Sequence, residues 1–222
     1  MKKLLTIMIC VVMLAFAWDA SATVLTFDDL PALGGGSYAQ IPTSYGGLDW
    51  SSSWDYMNTS GYSGSGSGYA NGIVSGEYVA FNSGADGVFI NDGVFDWTGA
   101  YFTAASKDDL KIDIKGYSGA TLLHSAILLV NTTGPTRFNV DWAGIDKLTF
   151  NSYYLSSDDM GGMGVGGMGG MSCDLNKKDP SQFVMDNFSF NKTTENVPEP
   201  ATFLLIGSGL VGLGFMRRKL KG

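Results

Sequence analysis

The chain has 222 residues, 45% of them hydrophobic, and a formal charge of −7 at neutral pH. That length and apolar content suit one domain with a core of useful volume. The acidic balance speaks against nucleic acid as a partner, because such binding rests on basic side chains that neutralise phosphates.

The chain opens with "MKKLLTIMICVVMLAFAWDASA", in which Lys2 and Lys3 precede an apolar stretch from Leu4 to Trp18 and Ala20-Ser21-Ala22 forms a small-x-small site. This layout predicts a secretory signal peptide over residues 1–22, cleaved after Ala22. The apolar stretch is short for a membrane span, which takes about 20 residues. Its removal takes Cys10 with it. Cys173 is then the single cysteine left, and no disulfide can form within the mature chain. Between residues 23 and 197 there remain eight basic and nineteen acidic residues, a balance of −11. That surplus leaves carboxylates available to divalent cations.

Residues 23–196 read as one all-β domain. "TVLTFDDL" and "GEYVAFNSG" are strand candidates, followed by "GVFDWTGAYFTAAS". Leu110, Ile112 and Ile114 alternate with Lys111, Asp113 and Lys115, the period of a half-buried strand. "TLLHSAILLVN" follows, then Phe138, Val140 and Trp142 alternating with Arg137, Asn139 and Asp141, then "DKLTFNSYYL" and "QFVMDNFSF". Gly, Asn, Asp and Pro separate these runs. Many short strands and no capped helical pattern predict a jelly-roll-like β-sandwich.

Two stretches depart from the pattern. "SSSWDYMNTSGYSGSGSGYANG", residues 51–72, is Gly/Ser-rich and reads as a mobile loop. Trp54, Tyr56, Tyr62 and Tyr69 lie in it, where a core role explains them poorly. They are candidates to stack on the apolar faces of sugar rings. Trp97, Tyr101, Phe138 and Trp142 lie in strands and read as core. The second stretch, residues 158–172, is a flexible Met/Gly-rich insertion. Its sulfur atoms, with Cys173, are soft ligands of the kind that suit Cu(I), although an unselected linker has the same composition.

Catalytic chemistry is hard to find. His124 is the one histidine and sits in an apolar strand, where packing is its expected role. No nucleophile elbow, zinc-ligand cluster or phosphate loop is present in the sequence. One carboxylate stands out. In "QFVMDNFSF", Asp186 shares its parity with Val184, Phe188 and Phe190, so alternation aims it at the core. A buried carboxylate needs a cation or a set of N–H donors. A closing strand of this form resembles the last strand of carbohydrate-binding jelly rolls. That resemblance implies a structural Ca²⁺ held by Asp186 and by acids near the first strand, here Asp28 and Asp29. Backbone carbonyls would complete the six to eight oxygens that calcium takes. The alternative is an Asp bonded to turn amides.

The chain ends with "VPEPATFLLIGSGLVGLGFMRRKLKG". Pro198-Glu199-Pro200 precedes an uncharged run over 201–216, expected to be a helix, and a basic tip over 217–221 that includes Arg217 and Arg218. Basic residues behind an apolar run stay on the cytoplasmic side, and the prolines keep the triplet extended. The order of parts over residues 197–222 closely resembles the PEP-CTERM sorting domain of bacterial exported proteins. The resemblance implies a Gram-negative, exopolysaccharide-producing source and a membrane-embedded exosortase as partner, which removes the tail near the triplet. The protein would be held in the inner membrane for a time and then reach the cell surface or the extracellular matrix. Two functions stand against each other at this point. One is a non-enzymatic surface or matrix protein that binds exopolysaccharide; the other is a secreted hydrolase of extracellular polysaccharide. The lack of a nucleophile–base set favours the first.

Overall fold

The computed structural model describes residues 22–155 and 178–192, together with Gly209 near the C-terminus. The expected signal peptide (Ala22 apart), the Met/Gly-rich stretch 158–172, and the sorting segment 197–222 (Gly209 apart) lie outside the described residues. The chain divides into two compact units, Met1–Asn191 and Lys192–Gly222, and the β-structure belongs to the first. No helix among the described residues is long and apolar enough to cross a membrane.

The described strands are β1 (Thr23–Leu25), β2 (Tyr38–Gln40), β3 (Asp49–Trp50), β4 (Trp54–Asn58), β5 (Tyr78–Asn82), β6 (Val88–Ala104), β7 (Leu110–Ser118), β8 (Thr121–Val130), β9 (Thr136–Leu155), β10 (Lys178–Pro180) and β11 (Phe183–Lys192). All the registered pairs are antiparallel, and hydrogen bonds link them in the order β2-β4-β5-β11-β6-β9-β7-β8. β1 adds to β11, β3 to β6 and β10 to β9.

This single network folds over on itself. β4 and β9 are four strand spacings apart along the order, roughly 19 Å in a flat sheet. Yet the rings of Trp54 and Phe150 lie 5.6 Å apart and meet edge to face. The fold-over takes place in β6 and β9, the two longest strands. Their pairing slips at Asn91/Phe95, Phe95/Trp97 and Trp97/Gly99. Bulges and bends of this kind let a strand leave one sheet and enter the next. The first half of β6 pairs with β3 and the end of β9, which continues to β7 and β8. Its second half pairs with the start of β9 and adjoins β11. The result is the all-β sandwich that the strand pattern predicts. Its two layers share a core that includes Trp50, Trp54, Trp97, Phe102, Phe150, Phe183 and Phe188.

The expectation of a mobile loop over 51–72 is corrected. Residues 54–58 form β4, paired on both edges with β2 and β5. Every residue of β4 is buried, on both faces, so the polar-apolar alternation that marks a half-exposed strand is missing. The chain then continues as a 3-10 turn (Thr59–Tyr62) and a short helix (Gly68–Asn71), N-capped by Asn58 and Ser67. This segment packs over the outer face of β4, β5 and β11, where Tyr62, Tyr69 and Ile73 close a second cluster of Met57, Val79, Phe81, Ala105 and Val184. Gly68 permits the approach, since a Cβ there would stand 1.7 Å from the Ala104 carbonyl oxygen.

Trp54 and Tyr56 are accordingly core residues and not glycan-stacking ones. Trp54 is fully buried between Trp50, Phe150 and Phe183, and its Nε1 donates to the Phe89 carbonyl. The buried Tyr56 donates its hydroxyl to the Pro31 carbonyl. His124 on β8 stacks on Trp142 at 5.1 Å and 11°, a packing role. Replacing Trp54 by alanine removes the ring shared by both layers and should cost about 3–5 kcal/mol in denaturant unfolding. A loss below about 1 kcal/mol, the range of substitutions away from the core, would contradict this placement.

Candidate functional site

Asp186 is fully buried, though not by the route that alternation suggests. Asn187 has a left-handed backbone (φ 52°), which inserts a bulge into β11. Phe183 and Met185 before the bulge and Phe188 and Phe190 after it all belong to the main core, whereas Val184 belongs to the outer cluster. The side-chain parity therefore reverses at Asn187. Asp186 is sealed off by the segment that follows Ile73. Its carboxylate accepts from the backbone N–H groups of Val74 (2.7 Å), Ser75 (3.0 Å) and Asn187 (2.6 Å).

Asp28 grips the same segment two residues further on. Its Oδ1 accepts from the N–H groups of Glu77 (2.9 Å) and Tyr78 (3.3 Å). Gly76 runs so close that a Cβ there would stand 1.9 Å from this oxygen. Asp29 turns elsewhere and accepts from the Tyr45 hydroxyl at 2.5 Å. Burial, with Asp29 adding to it, holds that phenol well above its ordinary range. Asp28 and Asp186 are thus brought to one loop and Asp29 is not. Among the described residues no three metal-ligating side chains converge. The groups turned toward Asp186 are N–H donors, where calcium would require further oxygens.

Burial pushes the Asp186 carboxyl up to about 6, against the pull of its three amides, and nearby Asp28 adds to the rise. The folded value lies above the ordinary 3.8, so folding takes up a proton between about pH 4 and pH 6. The stability linked to this group is present at the acid end and is lost as pH rises through about 6. Melting curves of wild type and Asp186→Asn across this window should show the wild type gaining relative to the variant as pH falls. A constant difference would mean that the carboxyl titrates as in the unfolded chain. With amides satisfying the carboxylate, EDTA should leave the melting temperature unchanged. A fall reversed by Ca²⁺ but not by Mg²⁺ would assign the cation to this loop.

Tyr62 and Tyr69, the other two expected stacking residues, are half-buried and lie against each other at 5.4 Å. Tyr69 also meets Phe81 edge to face at 5.6 Å and donates its hydroxyl to Gln182 at 2.5 Å. Burial pushes its phenol up to about 12. Tyr69 therefore ties the covering segment down. Tyr62 is only partly buried, and exposed Tyr38 on β2 also meets Phe81 edge to face at 5.8 Å.

A separate groove of about 150 Å³ opens beside the Asn187 bulge, lined by Val24, Thr98, Tyr101, Arg137, Asn187 and Ser189 and by the backbone of Gly99 and Ala100. Val24, Thr98, Tyr101, Arg137, Asn187 and Ser189 stand on four neighbouring strands: β1, β11, β6 and β9. Val24 pairs with Ser189, and Tyr101 with Arg137. Thr98 donates to the Ser189 hydroxyl at 2.8 Å. Gly99 forms a second irregularity here (φ 133°), and a Cβ on it would stand 2.1 Å from the Phe138 carbonyl oxygen. The Arg137 guanidinium lies over the Tyr101 ring, 5.2 Å from its centroid. It donates to the Tyr101 hydroxyl at 2.9 Å and, through Nε, to Asn139. Sequence reasoning assigned Tyr101 to the core and passed over Arg137. The available signal was Arg137 itself, alternating with Phe138, Val140 and Trp142 on the face away from the core.

Pro198, Glu199, Pro200, Arg217 and Arg218 lie outside the described residues, and for them comparison with known proteins is informative. No curated protein sequence matches the chain. Among solved structures, the N-terminal CBM22-1-CBM22-2 tandem domain from Paenibacillus barcinonensis Xyn10C aligns with 83% of this chain at 12% identity and a TM-score of 0.38. The match covers 49% of that structure, so the chain spans about half its length, and the likeness is too loose to carry a conclusion. The family comparison is specific, although it concerns only the tail: residues 196–219 match the PEP-CTERM protein-sorting motif, which marks an exported protein that is anchored in the membrane for a time and sorted by exosortase.

Proposed function

We propose that residues 23–196 form a non-enzymatic glycan-binding module of the cell surface or the exopolysaccharide matrix, delivered there through the sorting motif. The observation that carries this reading is the groove on β1, β11, β6 and β9. A sugar offers hydroxyls that both donate and accept, together with an apolar C–H face. The groove answers with the hydroxyls of Thr98 and Ser189, the amide of Asn187, the Arg137 donors and the apolar side of Val24. These groups stand on paired strands and are held before any ligand arrives, which lowers the ordering cost of binding. At about 150 Å³ the groove is small beside pockets that enclose drug-sized ligands. It suits a chain end, or one residue of a polymer lying along the surface. Exposed Tyr38 and the solvent-facing part of half-buried Tyr62 offer further ring surface on the same module.

Affinity electrophoresis of the purified protein in gels cast with the source's own polysaccharide would test this. Ser189→Trp, which fills the groove, should abolish retardation. Tyr62→Ala should reduce it only if this further ring surface takes part. Release of new reducing ends from the polymer would overturn the non-enzymatic reading.

Sorting makes its own prediction. Protein recovered from the cell surface should lack the residues beyond about Pro200, as read by intact-mass spectrometry. Replacing Pro198, Glu199 and Pro200 with alanine should leave the protein in the inner-membrane fraction. A surface form that still carries Arg217 and Arg218 would exclude removal of the tail.

A further inference from the structure

We infer that the groove selects acidic sugars, with the carboxylate of a uronate-type residue docking on Arg137. This rests on the glycan-binding reading above and adds the class of ligand. Arg137 is the one arginine between residues 23 and 197. It is exposed, and no carboxylate among the described residues pairs with it. A guanidinium has five N–H donors. Two serve the structure, one to Tyr101 and one to Asn139, and these bonds fix the plane of the group over the Tyr101 ring. The donors left over point to a planar, two-oxygen acceptor, the geometry in which Arg binds carboxylate by two parallel bonds.

The surroundings sharpen the choice. The domain around Arg137 carries nineteen acidic residues against eight basic ones, so its general field repels a polyanion. An acidic polymer is held only where a fixed cation meets it at close range. At that point Thr98, Ser189 and Asn187 are placed to take up neighbouring hydroxyls. A neutral sugar can use the hydroxyls but leaves the guanidinium without its counter-charge.

The test compares polygalacturonate with the same polymer after reduction of its carboxyl groups to hydroxymethyl groups. Both are titrated into the purified full-length protein by calorimetry. Wild type should bind the acidic form about ten-fold more tightly or better, the scale of a hydrogen bond to a charged group. Arg137→Gln should bind the two forms equally, and Arg137→Lys should keep only part of the preference. Melting curves matching wild type would show that both variants fold. Equal binding of the two polymers by wild type overturns the inference and leaves glycan binding standing. An acid preference that survives Arg137→Gln overturns Arg137 as its source. Binding of neither polymer overturns the inference, and a protein that also fails to retard on the source's own polysaccharide overturns the glycan reading with it.

Discussion

A carboxylate withdrawn from water must find donors, and at Asp186 three backbone amides supply them. Much of the domain's arrangement depends on this contact. The Asn187 amide bond supports the left-handed residue that reverses the side-chain parity of β11. Without that reversal, Phe188 and Phe190 would face away from the core that Phe183 and Met185 enter. The bonds to Val74 and Ser75 hold down the segment that covers Val184 and Phe81, with Asp28 gripping the same segment at Glu77 and Tyr78. The cost of burying the charge remains visible in a carboxyl raised to about 6.

The same irregularities shape the outer surface. A regular pair of strands presents an even row of side chains, which makes no hollow. Here β11 is interrupted at Asn187 and β6 at Gly99, and the groove lies between the two sites. Bulges are a common way to re-aim side chains beside functional sites. In this domain Asn187, where the facing of the β11 core rings reverses, also lines the surface groove.

Strand existence was legible wherever one face met the core and the other met water. Leu110–Lys115 and Arg137–Trp142 alternate cleanly, and both lie within strands. The separate runs "RFNVDW" and "DKLTFNSYYL" belong to one long strand, β9, because the Gly144 turn signal between them marks a bend and not an end. β4 was not legible, since burial on both faces removes alternation, and its Gly/Ser-rich continuation reads as loop until its capping and its cover over Phe81 are seen. The importance of Asp186 was readable from parity, but the direction was not: a single left-handed residue shifts the count, and Asn is merely one of several residues that tolerate such a backbone. The groove was the least legible part. Its residues are far apart in sequence, at 24, 98, 101, 137, 187 and 189, and only pairing brings them together. The sorting motif was fully legible because it is short, contiguous and ordered along the chain.

The placement of β11 bears on how such a protein can be made. This strand is the last of the domain, yet it stands inside its layer, between β6 on one side and β5 and β1 on the other. β1, the first strand to emerge, waits for a partner more than 160 residues away, and closing a loop of that length comes at an entropic cost before any contact rewards it. A chain made from its N-terminus therefore cannot complete its core part-way. β11 ends at Lys192 and the sorting motif begins at residue 196. The last strand the core needs therefore ends just ahead of the sorting motif, and the domain has all its strands only once the chain is made almost to that motif.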